Sequence, residues 1–154
     1  MKLVMMGTGP FAVPSFQALV GSSHEVLALI TRPDRVARGR KQAPPNPMRD
    51  AATAASLPVH APADINAAEA HDLLKKFAAD LFVVCDYGQI LSSATLEKAR
   101  LGGINLHGSL LPKYRGAAPV NWTLLQGDTM AGVTVIHMTP RLDGGPPTRK
   151  AQVR

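Results

Sequence analysis

The chain has 154 residues, 45% of them hydrophobic and 18% charged, with a formal net charge of +6. That balance suits one globular domain able to bury a core and argues against a long disordered tail. No run approaches the roughly 20 apolar residues that a membrane-spanning helix needs, and the opening apolar run meets Gly7 too soon for a signal-peptide core, so a cytoplasmic protein without membrane association is expected. Cys85 is the single cysteine, which excludes an intrachain disulfide or a multi-cysteine metal site; it reads as a small buried apolar residue.

In chain order, Lys2 to Met6 is an apolar run stopped by Gly7-Thr8-Gly9-Pro10, and His24 to Thr31 is another, stopped by Arg32-Pro33-Asp34. Both read as buried strands. Between them Pro14 to Val20 has helical spacing, with Phe16, Leu19 and Val20 on one face and Pro14 suited to a first helical position. A strand, a helix and a strand in this order imply a right-handed crossover and a parallel sheet.

Gly7-Thr8-Gly9-Pro10-Phe11-Ala12 follows the first strand and satisfies the glycine pattern of dinucleotide-binding proteins, which brings a nucleotide-binding oxidoreductase into consideration. Two features oppose it. Pro14 disfavours a helical Val13 and is expected to delay the helix whose first amides would hold a pyrophosphate. The second strand ends in Thr31-Arg32, without the acidic residue that would hold a ribose hydroxyl.

Next comes a basic stretch, in which Arg32, Arg35, Arg38, Arg40, Lys41 and Arg49 stand against Asp34 and Asp50. Such a concentration of positive charge attracts polyanions, nucleic acid included, and serves equally as a solvated loop. Ala43-Pro44-Pro45-Asn46-Pro47 cannot sustain regular hydrogen bonding, so the basic stretch is expected in an exposed loop.

Helical character returns over residues 48–56 and 67–79, where Leu73, Leu74 and Phe77 form an apolar stripe. Leu81-Phe82-Val83-Val84-Cys85 is too uniformly apolar for a strand with one wet face and is expected mid-sheet. Residues 103–107 and 133–138 read as further strands, separated by a loop over 109–119 and a helix over 120–126. The alternation predicts an α/β fold with a doubly wound, mostly parallel, Rossmann-like sheet, in which ligands collect beyond the carboxyl ends of the strands.

At one such end, Asn105 and His107 lie two apart on a strand, so their side chains share a face while Leu106 takes the other. A carboxamide beside an imidazole suits acyl transfer to an amine. The amide stabilises the oxyanion of a tetrahedral intermediate, and the imidazole donates to that oxygen or handles protons. Asp143 follows the strand that ends at Met138; if the two strands are near each other in the sheet, its carboxylate can reach His107, orient it and favour its protonated form. Taken singly, each residue has an ordinary explanation as a satisfied polar group or a turn former.

The text around them carries more. The run Asn105-Leu106-His107-Gly108-Ser109-Leu110-Leu111-Pro112-Lys113-Tyr114-Arg115-Gly116-Ala117-Ala118-Pro119 resembles the signature of the folate-dependent formyltransferases. Met6-Gly7-Thr8, Phe11-Ala12-Val13-Pro14, Pro33-Asp34-Arg35, Tyr87-Gly88-Gln89-Ile90-Leu91, Gly132-Val133-Thr134 and Leu142-Asp143-Gly144 resemble the corresponding blocks of the methionyl-tRNA formyltransferases. The resemblance covers most of the chain and accounts for the glycine turn, because that family opens on the same turn and binds no dinucleotide there.

What the resemblance implies can be stated residue by residue. Asn105, His107 and Asp143 match the catalytic triad. Ser109, Leu110, Leu111 and Pro112 match a tetrahydrofolate-binding loop, and Tyr87, Gly88, Gln89, Ile90 and Leu91 fall where the pterin pocket is lined, partly by backbone. Arg38, Gly39, Arg40 and Lys41 match a basic loop that engages the tRNA acceptor end. The implied reaction moves the formyl group of 10-formyltetrahydrofolate, a co-substrate, to the amino group of initiator methionyl-tRNA, directly and without a metal. Relatives that share this chemistry act on formyltetrahydrofolate and water, on a sugar amine or on glycinamide ribonucleotide; the basic loop favours tRNA.

Against the family pattern, Gly108 stands where many relatives carry a side chain, Asp86 occupies an ordinarily small apolar place, and the basic loop is a residue short. After Gly145 the family continues with more sheet and helix and a β-barrel domain. Residues 1–154 are therefore expected to be an incomplete amino-terminal catalytic domain without the tRNA-binding barrel, or an inactive fragment of it, with the last sheet edge uncovered and apolar surface exposed there.

Overall fold

The computed structural model describes residues 1–34 and 45–154 of the chain. Its strands are β1 (Lys2–Met6), β2 (Glu25–Ile30), β3 (Val59–His60), β4 (Leu81–Val84), β5 (Gly103–His107), β6 (Ala131–His137) and β7 (Pro147–Val153). They form one seven-stranded sheet in the order β3-β2-β1-β4-β5-β6-β7. β1, β2, β3, β4 and β5 pair in parallel, whereas β6 runs antiparallel to both β5 and β7. The helices are α1 (Val13–Val20), α2 (Pro47–Ala54), α3 (Ala68–Phe77), α4 (Ser93–Leu96) and α5 (Pro119–Leu125), with a 3-10 turn over Pro10–Ala12 before α1.

Successive side chains of a strand point to opposite faces, and here both faces are covered. Leu3, Met5, Leu29, Val83 and Cys85 pack on one side with Phe16 of α1 and with Met48 and Ala52 of α2. On the other, Val4, Met6, Ile30, Phe82 and Val84 pack with Ala70 and Leu74 of α3 and with Leu96 of α4. The uniformly apolar stretch ending at Cys85 is thus the sheet's middle, as its composition predicts. Burial pushes the Cys85 thiol up to about 12, which keeps it an apolar filler.

Several local expectations need correction. Val13 is helical, with φ −59° and ψ −48°, so Pro14 does not delay α1. The 3-10 turn leads straight into the helix through a hydrogen bond from the Val13 amide to the Pro10 carbonyl, while Ala12 is buried beneath it. Val20 is 39% exposed, so the buried face of α1 is Phe16 with Leu19 beside it. Pro47 lies inside α2 rather than in a loop, because a proline at the helix start forfeits no internal hydrogen bond. Asn46 caps that helix, its side chain accepting from the Arg49 amide at 3.1 Å.

β7 was not expected. It covers β6, the strand expected to be the open sheet edge. All seven of its residues are exposed, so no apolar periodicity marks it; Pro147, Arg149 and Lys150 along it are the residues that discourage pairing at a sheet edge. Among the described residues, no helix is long and apolar enough to cross a membrane.

Candidate active site

The glycine turn after β1 is closed to a nucleotide. The Thr8 and Gly9 amides both donate to the Asp86 carbonyl, at 3.0 and 3.3 Å, and the Gly7 amide donates to Ile30. A side chain at Gly9 would stand 1.8 Å from Asp86 Oδ2, so the carboxylate fills the space above the turn. The amides that cradle a pyrophosphate elsewhere are spent on the chain itself. Partial burial raises the Asp86 carboxyl above the ordinary carboxylate range.

Beyond the carboxyl ends of β4 and β5 opens a cavity of about 580 Å³, within the size range of small-molecule sites. Asn105, His107 and Asp143 line it, as do Tyr87, Gly88, Gln89, Ile90 and Leu91. The stretch after β4 is anchored from behind. Gln89 accepts from the Ile65 amide at 2.8 Å and donates to the Pro62 carbonyl at 3.1 Å, and Asn66 donates to the Ile90 carbonyl at 2.9 Å. Gln89 therefore holds the wall in place with its side chain. The Tyr87 hydroxyl is buried without a hydrogen-bond partner among the described residues, and burial raises it above its ordinary value.

Asn105 and His107 share one face of β5, while Leu106 and Ile104 pack on the α1–α2 side. Asp143 reaches them by a less direct route than its position after β6 suggests. β6 is antiparallel to β5 and leaves the sheet at the Ile104 end, so the loop from Met138 to Pro146 must fold back across the sheet. There Asp143 Oδ1 accepts from Asn105 Nδ2 at 3.4 Å, and Oδ2 lies 3.6 Å from His107 Nδ1 and accepts from the Gly116 amide at 2.8 Å. The Asp143 and His107 side chains are 8% and 6% exposed, so their interaction is little screened by solvent.

His107 Nε2 lies 2.7 Å from the Tyr114 carbonyl oxygen. A carbonyl only accepts, so Nε2 carries a proton, and Nδ1 is the nitrogen that faces Asp143 and the cavity. Nothing in the side-chain pattern announces the Tyr114 carbonyl or the Gly116 amide, because both are backbone groups.

Ser109, Leu110, Leu111 and Pro112 do not line the cavity. They form a turn beside it. Ser109 Oγ donates to the Lys113 carbonyl at 2.6 Å. The fully buried Thr134 hydroxyl donates to the Ser109 carbonyl at 2.8 Å and accepts from the Leu111 amide at 3.0 Å. A side chain at Gly108 would come within 2.8 Å of Val120 and 3.3 Å of Phe11, so the glycine lets the start of α5 close against the first turn. Arg38, Gly39, Arg40 and Lys41 lie outside the described residues.

A doubly wound sheet with a carboxamide, an imidazole and a carboxylate over one strand end defines a class, and comparison with known proteins agrees with it. The chain belongs to the formyl transferase family, whose sequence pattern it matches over residues 1–154. It is 55% identical over 150 residues to the methionyl-tRNA formyltransferase of Rhodopirellula baltica, covering 95% of this chain and 45% of that protein. It is 47% identical over 146 residues to the one of Pelotomaculum thermopropionicum, covering 94% and 46%. The chain thus spans about half the length of the curated relatives it matches. Among solved structures, glycinamide ribonucleotide transformylase 1 from Symbiobacterium toebii superimposes with a TM-score of 0.77 at 21% identity, over 99% of this chain and 73% of that one, a likeness of fold.

Proposed function

We propose that this chain is the catalytic portion of an enzyme that transfers the formyl group of 10-formyltetrahydrofolate to the amino group of initiator methionyl-tRNA in the cytoplasm. The observation that carries the reading is the meeting of Asn105, His107 and Asp143 at one cavity wall. Its size and the residues 86–91 along its wall suit a flat heterocycle such as a pterin. Identity to methionyl-tRNA formyltransferases at the level of half the residues supports tRNA over the other acceptors.

The folate supplies an activated formyl carbon. Asn105 Nδ2 stabilises the carbonyl oxygen as negative charge develops there during attack by the neutral amine. His107 Nδ1 exchanges a proton with the reacting groups, and Asp143 orients the ring and offsets its charge when it is protonated. The new carbon–nitrogen bond forms first, giving a tetrahedral intermediate, and the bond to folate N10 breaks as that intermediate collapses. The proton lost by the amine balances the one gained at N10, so no oxidant or reductant enters. The rest is positioning by the buried walls. Ser109, Leu110, Leu111 and Pro112 are assigned to shaping the folate site from behind, and Arg38, Gly39, Arg40 and Lys41 to the tRNA acceptor end, where cations release phosphate counterions.

The test is formylation of methionyl-tRNA from 10-formyltetrahydrofolate by the chain joined to the carboxyl-terminal half of the Rhodopirellula baltica relative. His107→Ala should lower turnover by about 10²–10⁴-fold, and Asn105→Ala by about 10²–10³-fold, with folate affinity by calorimetry changed little. Release of formate without acceptor formylation would replace the transferase with a hydrolase. Unchanged turnover in His107→Ala would remove the proposed chemistry.

A further inference from the structure

The tautomer of His107 depends on where one backbone carbonyl sits, and that carbonyl belongs to a residue in an unfavourable conformation. Tyr114 has φ +55°, in the left-handed region that aromatic residues rarely adopt, so contacts elsewhere must hold it. They converge on Asp128, three residues beyond α5. Its Oδ2 accepts from the Tyr114 hydroxyl at 2.9 Å, and its two carboxylate oxygens accept from Lys113 Nζ at 3.1 and 3.0 Å. The adjoining Lys113 carbonyl is tied to Ser109 Oγ at 2.6 Å. One carboxylate therefore grips two consecutive side chains, and the second of those residues presents its carbonyl to His107 Nε2 at 2.7 Å.

We propose that Asp128 is a positioning residue: by holding Tyr114 and Lys113 it keeps the Tyr114 carbonyl on His107 Nε2, fixes the ring proton there, and leaves Nδ1 as the nitrogen that handles protons. The assignment of Nδ1 to chemistry rests on the formyl-transfer reading, whereas the control of the tautomer does not. Hydrogen bonds from Lys113 and Tyr114 hold the Asp128 carboxyl below its ordinary range, so the grip is maintained at neutral pH. A neutral histidine freed from such a partner exchanges its proton between the two nitrogens, and only one of the two forms presents a lone pair to the cavity.

Long-range proton–nitrogen NMR on the full chain tests this, with the His107 signals assigned by their loss in His107→Ala. In the neutral form of the wild-type ring, identified by following the nitrogen shifts as pH is raised, Nε2 should report as protonated and Nδ1 as bare. Asp128→Ala should shift both nitrogens toward averaged values. Tyr114→Phe, which removes one hydroxyl and keeps the backbone carbonyl, should do so partly and guards against a misfolded Asp128→Ala. Asp128→Asn, which retains an acceptor oxygen, should restore most of the wild-type pattern. In formylation, Asp128→Ala should lower kcat by about tenfold with KM for folate unchanged, as for a displaced proton-transfer group. A wild-type tautomer retained in folded Asp128→Ala and in Tyr114→Phe overturns the proposal, whatever the activity. An altered tautomer with no change in kcat keeps the positioning role and overturns instead the role of His107 in the reaction.

Discussion

At the scale of single residues, the same chemistry gives different outcomes according to what each side chain meets. Asp143 and Asp128 each accept from two residues, whereas no hydrogen bond reaches the Asp86 carboxylate among the described residues. Asp86 also stands at φ +48°, a conformation that Asp and Asn tolerate better than most. Its carboxyl is raised in the folded protein, so the native state disfavours the ionised form. The stability cost is absent below the ordinary carboxylate range, grows as pH rises between that range and the raised value, and persists at neutral pH. Asp86→Asn keeps the backbone preference and removes the charge. Its melting temperature should exceed the wild type's at pH 7 and match it near pH 3; an equal change at both would show that charge burial is not the cause.

Among the elements, the turn from Ser109 to Pro112 stands beside the cavity rather than in its wall. Its text matches a ligand-binding loop, yet its backbone is pinned by a buried threonine from β6. Thr134→Val conserves shape and leaves the Ser109 carbonyl and the Leu111 amide without their partner. Buried groups left unsatisfied cost about 1–3 kcal/mol each, so the unfolding midpoint in urea should fall by an amount corresponding to roughly 2 kcal/mol or more, with the slope unchanged. A midpoint equal to the wild type's would mean that water or a rearranged turn replaces the hydroxyl. The adjoining loop carries two non-glycine residues at positive φ, Tyr114 and Ala118, and it lies against the candidate catalytic side chains, of which Asp143 shares that conformation.

For the whole molecule, apolar exposure is concentrated away from the expected place. β7 occupies the edge of β6, and much of the remaining apolar surface is on α5, where Trp122, Leu124 and Leu125 are 49%, 73% and 75% exposed. A doubled Leu124→Gln, Leu125→Gln variant should change stability by no more than about 0.5 kcal/mol, since little burial is lost, and should reduce concentration-dependent light scattering. A large loss of stability would show that α5 is packed in solution in a way the exposed side chains do not suggest.

The sequence by itself determined the layered α/β plan, because strands buried on both faces read as unbroken apolar runs and helices such as α3 show their stripe in Leu73, Leu74 and Phe77. It determined also that Asn105 and His107 lie on one face, since the strand period is two. It was silent on β3 and β7, which are short or exposed and held by backbone pairing that leaves no hydrophobic pattern. Only the tertiary structure decided how Asp143 returns across the sheet, why the glycine turn cannot take a nucleotide, and which nitrogen of His107 faces the cavity. Each of those rests on backbone carbonyls or amides of other residues, Asp86, Tyr114 and Gly116. Every residue carries such groups, so their use is settled by where the chain runs rather than by which side chain it bears.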